Sequence, residues 1–208
     1  MSPRTKLANQ QIRDDRREQI LTAARIVFAS KGYGATVIDD IAAAAGISKG
    51  LIYHYFPGKE DLFVALVQRT MQGALALMEE AASRLDSAWA RLFWLTSEVM
   101  ARAKESPDEF AIILQAYTSQ AVPQTARDLA VEYTTASVAA VRDLIIQGQS
   151  SGHIVAGDSD QLAVTFTACL QGLALTVSVS GRQEGTHLPD AQTALRMIAI
   201  NPGPIDSP

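Results

Sequence analysis

Ile38-Asp39-Asp40-Ile41-Ala42-Ala43-Ala44-Ala45-Gly46-Ile47-Ser48-Lys49-Gly50-Leu51-Ile52-Tyr53-His54-Tyr55-Phe56 is the stretch on which the fold turns. Apolar residues recur at helical spacing on both sides of Gly46, and a glycine there supplies the left-handed backbone that ends a first short helix. Ser48 is placed to cap a second one. Two short helices joined by a glycine turn have the length of a helix-turn-helix, which presents its second helix to the DNA major groove; an ordinary αα-corner has the same spacing. Ile38, Ile41, Ala42 and Ala45 are expected to face Leu51, Ile52 and Tyr55. Lys49, Gly50, Tyr53 and His54 are then left to project outward, and Gly50 lacks a side chain where backbone would have to approach DNA.

Outward from this stretch, nearly every segment has helical period and none alternates as a strand does, so the chain reads as all-α with about nine helices. Ile20, Leu21, Ala24, Val27 and Phe28 form a stripe on a helix expected over 14–31, stopped by Lys31-Gly32-Tyr33-Gly34. Thr36 heads Val37-Ile38-Asp39 as a variant capping box. Pro57-Gly58 breaks the second short helix, and Lys59-Glu60-Asp61 opens a long fourth one bearing Leu62, Phe63, Leu66, Val67, Met71 and Met78, with Gly73 as a place for a kink. Ser106-Pro107-Asp108-Glu109 and Asp158-Ser159-Asp160-Gln161 mark further helix starts. Breaks are expected near 121–123, across Gly148–Gly157 and at 181–185, with a last helix over 189–200 and a proline-rich flexible tail at 201–208. The organisation expected is a helix-turn-helix domain over 1–60, a helical ligand-binding and dimerisation domain over 61–200, and the tail.

The 208 residues are 48% apolar and 19% charged, enough to bury a core and too apolar for a disordered chain. Net charge is −4 but uneven: residues 1–60 hold nine Lys and Arg against six Asp and Glu, whereas the remainder carries −7. A basic head on an acidic body is compatible with phosphate binding at one end. A single cysteine, Cys169, excludes a disulfide framework and a four-thiolate zinc site. Met1–Gln11 is polar and basic and does not read as a secretory signal, so a cytoplasmic setting is expected.

The residues Arg17–Leu62, with Ile20-Leu21, Ala23-Ala24, Phe28, Gly32-Tyr33, Ile41-Ala42, Ala45-Gly46-Ile47-Ser48-Lys49-Gly50, Leu51-Ile52-Tyr53-His54-Tyr55-Phe56 and Lys59-Glu60-Asp61-Leu62, resemble the DNA-binding domain of the TetR family of transcriptional regulators. The resemblance implies a double-stranded DNA operator as partner, a small-molecule effector, and dimerisation through the last two long helices. By position, it implies that Thr36 and Ser48 cap helices and touch phosphate and that Lys49 and Gly50 meet base edges. It further implies that Tyr53 and His54 bridge recognition helix and backbone, and that Lys59 pairs with phosphate. Leu51 and Val37 depart from the family pattern, which has a small or hydroxyl residue at the first position and frequently Thr at the second.

From Gln161 to Gly181 there is no charged residue, and apolar side chains run almost all the way round the helix. Its Gln, Thr, Ser and Gly content is high for a membrane span, so no membrane partner is expected, and burial against a second copy of the chain is the better account. Phe166, Leu170, Leu173 and Val177 are the interface residues this reading selects. Met71, Trp89, Trp94, Phe110, Tyr117 and Tyr133 are candidates to line an effector pocket, with Gln115, Tyr117, Thr118 and Tyr133 to orient a neutral or apolar ligand. Gly148-Gln149-Ser150-Ser151-Gly152, with Asp158 or Asp160 and then His187, formally matches a serine-hydrolase motif, but Ser150 would then need a strand running into a tight turn, and the segment before it reads as helix. No catalytic residue, metal site or cofactor is expected, His54, His153 and His187 being scattered. The remaining alternative is a helical small-molecule-binding protein without a DNA function.

Overall fold

A computed structural model describes residues 3–180 and 189–199. Among them are nine helices and no strand: α1 (Pro3–Lys31), α2 (Ile38–Ala45), α3 (Lys49–Tyr55), α4 (Lys59–Ser83), α5 (Ala88–Glu105), α6 (Pro107–Thr118), α7 (Gln124–Ser150), α8 (Ser159–Ser180) and α9 (Ala191–Leu195). The tail at 201–208, the expected break at 181–185 and His187 lie outside the described residues. Two compact units result, one comprising 1–70 with 111–130 and the other 71–110 with 131–208. The first unit thus extends past residue 60 and takes in most of α6 and the start of α7.

In the first unit, Ile20, Leu21, Ala24 and Phe28 of α1 are buried with Ile38 and Ile41 of α2, Ile52 of α3, and Leu62 and Phe63 of α4. The rings of Phe28 and Phe63 meet edge-on at 5.2 Å and Tyr33 completes the cluster, 5.0 Å from Phe63, a geometry that favours aromatic pairs. α1 begins well before residue 14. Its first turns lack an apolar stripe, and side-chain bonds one turn apart, Gln10 to Asp14 and Gln11 to Asp15, run along them.

Gly46 adopts φ +65° and ends α2: its N–H reaches the Ala43 carbonyl while Ile47 N–H reaches Ala42 O, the paired bonds of a Schellman stop. At the other end, the cap falls one residue later than the sequence suggests. Val37 occupies the cap position, with no side-chain hydrogen bond of its own, while the Asp40 carboxylate accepts from Val37 N–H at 3.1 Å. Thr36 is fully buried and its hydroxyl donates to Gly32 O at 2.7 Å.

The second unit buries Leu77, Leu92, Leu95, Val141, Ile145, Phe166 and Leu170 in one core, drawn from α4, α5, α7 and α8. α4 runs unbroken through Gly73, whose carbonyl accepts from Arg102. α7 likewise continues through Gly148, because that glycine admits Ile154: a Cβ there would lie 2.4 Å from Ile154 Cδ1. The last helix is shorter than expected. α9 ends at Leu195, and the residues after it turn, with Ile198 N–H bonded to Leu195 O and Ile198 O accepting from Val155 N–H at 3.0 Å.

α8 is long and apolar enough to cross a membrane, with mean hydropathy 1.8 over Ser159–Val179. Its inner side packs into the chain's own core: Phe166, Leu170 and Val177 are buried, and Leu173 is half-buried. Three of the four interface residues expected from sequence are thus buried within the chain itself, and Leu173 alone of them is partly open. The exposed side carries Val164, Thr165, Ala168, Gln171, Gly172, Thr176 and Val179, again without a charge.

Candidate nucleic-acid interface

The exposed surface of α3 is built from its first turn. Ser48 has extended backbone angles and its hydroxyl accepts from Leu51 N–H at 3.3 Å, which fixes where the helix starts. Ile52 points inward and is fully buried, and Phe56 closes the far end at 4% exposure. With those two fixed, helical spacing turns Ser48, Lys49, Gly50, Tyr53 and His54 out, and all five are exposed. Leu51 and Tyr55 are half-buried rather than fully inward. A Cβ at Gly50 would meet nothing within 4 Å, so the space beside this backbone is open.

The electrostatics of the strip depend on α2. Lys49 Nζ donates to the Asp39 carboxylate at 3.0 Å, both side chains being substantially exposed. That hydrogen bond and the carboxylate charge hold the ammonium above its ordinary pKa, so Lys49 stays charged throughout the neutral range. An exposed pair of this kind is weak and breaks at little cost when a phosphate or a base edge competes. The strip therefore offers a cation, two aromatic or imidazole rings, a hydroxyl and bare backbone on one helical face, the kinds of group that bind phosphate and read base edges.

Two of the residues singled out from sequence are not on this surface. Thr36 is buried, as described above. Lys59 is half-buried: its ammonium donates to Tyr33 O at 3.0 Å and to Thr36 O at 2.9 Å, and lies 4.4 Å from the centre of the Tyr33 ring. Both expected phosphate contacts are thus turned toward the α1–α2 turn.

The pocket residues expected from sequence are found in several settings. Trp89, Trp94 and Tyr133 pack against the second unit's core, Met71 is buried, and Phe110 covers the separate small cluster of Ala103, Ala174 and Val177. Tyr117 belongs to the first unit and is 39% exposed. Gln115 is committed elsewhere, to backbone groups at Phe28, Tyr33 and Ala111, and the Thr118 hydroxyl donates to Leu114 O. The second unit does contain a cleft of about 350 Å³, floored by Leu75, Met78 and Leu144 and rimmed by Glu79, Arg91 and Asp143. Sequence reasoning missed Leu75, Glu79, Arg91, Asp143 and Leu144 because each reads as an ordinary core or surface position on its helix. Ser150 lies in the last turn of α7, where its hydroxyl donates to Ile146 O, and no strand leads into it.

Residues 20–66 match the family described as "Bacterial regulatory proteins, tetR family". The HTH-type transcriptional activator FasR of Mycolicibacterium smegmatis is 41% identical over 69 residues, 33% of this chain and 32% of that protein. The HTH-type transcriptional repressor KstR2 of Rhodococcus jostii is 38% identical over 73 residues, 35% of this chain and 36% of its own. The chain thus matches about a third of the length of these two relatives. Over the whole fold, the crystal structure of the MbdR regulator from Azoarcus sp. CIB superposes with a TM-score of 0.74 at 24% identity, covering 88% of this chain and 94% of that one. Residues 20–66, which cap, bury and expose the α3 strip, thus match the N-terminal domain of bacterial tetR-family regulatory proteins, and the relatives similar to this chain are HTH-type transcriptional regulators.

Proposed function

We propose that the chain is a homodimeric repressor that holds a palindromic DNA operator and is released from it by a small apolar or neutral molecule. The observation that carries the DNA reading is the exposed strip of Ser48, Lys49, Gly50, Tyr53 and His54 on a helix whose other side is locked into the core. Two copies of the strip about 34–36 Å apart would read successive major grooves on one side of the duplex. The uncharged outer side of α8, from Val164 to Val179, supports a second copy as its occupant, since a lone chain would gain nothing from leaving it without charges. Release needs an effector that binds the DNA-incompetent arrangement more tightly than the competent one. α4 is the natural lever, because it follows α3 in the chain and runs from the first unit into the second. The sign of regulation follows family habit; FasR and KstR2, each similar to about a third of the chain, are an activator and a repressor respectively.

The test is selection from a random duplex library with purified protein at a fixed salt of about 0.1 M, where specific and counterion-driven binding separate. Enrichment of an inverted repeat, with a sedimenting mass of two chains, is the expected result. Weak salt-sensitive binding without enrichment, or a monomer at micromolar concentration, would overturn it.

A further inference from the structure

Six residues, Gly32–Val37, connect α1 to α2 and set the angle at which α2 leaves, and their polar groups are bound from two distant places in the sequence. Tyr33 is the centre of this arrangement. Its N–H donates to Gln115 Oε1 of α6 at 2.7 Å, and its carbonyl accepts from Lys59 Nζ of α4 at 3.0 Å. Gln115 Nε2 also donates to Phe28 O, in the last turn of α1, at 3.0 Å. Lys59 spends a second N–H on Thr36 O and rests its charge over the Tyr33 ring, which is itself packed against Phe28 and Phe63. The buried Thr36 hydroxyl closes the turn onto Gly32 O.

We propose that Lys59 and Gln115 are positioning residues for DNA reading, acting together on the backbone of Tyr33 and not by touching DNA. Two of the three N–H bonds of Lys59 are spent on carbonyls and its charge lies over the Tyr33 ring, so its main commitment is to the turn and at most one N–H is left for any other acceptor. The consequence passes along the chain. The turn places α2, which is joined to α3 through the Gly46 turn and packs against it, so releasing Tyr33 loosens the seat of the reading helix without removing any group that faces DNA. Gln115 is 82 residues away from Tyr33 and uncharged, and its amide ties α6, which belongs to the same unit from Ala111 on, to the turn. This inference rests on the DNA reading above and names the residues that orient its surface.

The experiment uses the duplex selected by the parent protein and a scrambled duplex of the same length. Affinities of the parent, Lys59→Met, Gln115→Leu and the double variant are measured across a salt series, on samples whose melting curves show them folded. Each single variant is expected to lose about tenfold in affinity for the selected duplex and far less for the scrambled one, with the salt slope of the parent. The double variant is expected to lose little more than the worse single, because both side chains act through one residue. A purely structural role would lower the active fraction and leave the selected-to-scrambled ratio unchanged. A slope lowered by about one per subunit in Lys59→Met, equal losses on both duplexes, or additive losses in the double variant would overturn the proposal. If Lys59→Met fails to fold, Gln115→Leu alone decides through its selected-to-scrambled ratio. A parent that selects no duplex would overturn the DNA reading itself, and with it this inference.

Discussion

Gly50→Ala separates two effects that most substitutions confuse. Gly50 is the second residue of α3, with helical backbone and nothing within 4 Å of the position a Cβ would take. Alanine there fits without a clash and restricts the unfolded chain, which is worth about 0.4 to 1 kcal/mol of added stability. For a protein of this size, that raises the melting temperature by about 1 to 4 °C. The same methyl group stands on the exposed strip between Lys49 and Tyr53, where bare backbone is expected to approach DNA. Pushing the helix outward there should cost about 1 to 2 kcal/mol in operator affinity, a loss of roughly 5- to 30-fold. Thermal melting and fluorescence anisotropy on the same preparation read both quantities. A protein that melts higher and binds its selected duplex as tightly as the parent would refute the backbone-approach argument, and one that melts lower would refute the reading of the open space.

Val37→Thr places a hydroxyl at the uncapped start of α2, where the backbone is already extended and the valine is 55% exposed, and should add about 0.5 to 1 kcal/mol in urea unfolding. Gly46→Ala, although sterically free, forces a side chain to φ +65° and should cost about 1 to 2 kcal/mol in the same assay. Gly148→Ala drives a methyl into buried Ile154 and should cost about 1 to 3 kcal/mol. Asp40 is held below the ordinary carboxylate range by its hydrogen bond from Lys31 and by Val37 N–H. The folded form therefore binds that proton less readily than the unfolded chain, and this contribution, present at neutral pH, is lost as pH falls through the depressed value. Melting temperatures followed into acid should fall less steeply for Asp40→Asn than for the parent.

The helix-turn-helix was legible because its signals are local. Gly46 and Ser48 act through bonds to residues three to five positions away, and the inward stripe of Ile38, Ile41 and Ile52 follows helical spacing. The exposed strip followed from the same geometry. What sequence missed depends on partners distant along the chain. Thr36 is a good cap residue by type, but burial of its side chain against the turn moved the cap to Val37. Lys59 reads as a solvated or phosphate-binding cation until the fold brings it to the carbonyls of Tyr33 and Thr36. Gln115 reads as a ligand contact until α6 is laid against the end of α1. On α8, composition indicated two buried sides, yet periodicity alone could not tell which side its own chain covers, because both sides lack charge.

The central claim, that α3 reads bases through its exposed strip, is tested most directly by repeating the duplex selection with Lys49→Ala. Lys49 is the strip's cation, tethered by its exposed pairing with Asp39. If it meets a base edge, the variant should select the same inverted repeat with the preference relaxed at one position in each half-site, and bind the parent's duplex more weakly by about 1 to 3 kcal/mol. An unchanged motif bound with unchanged affinity would contradict the account.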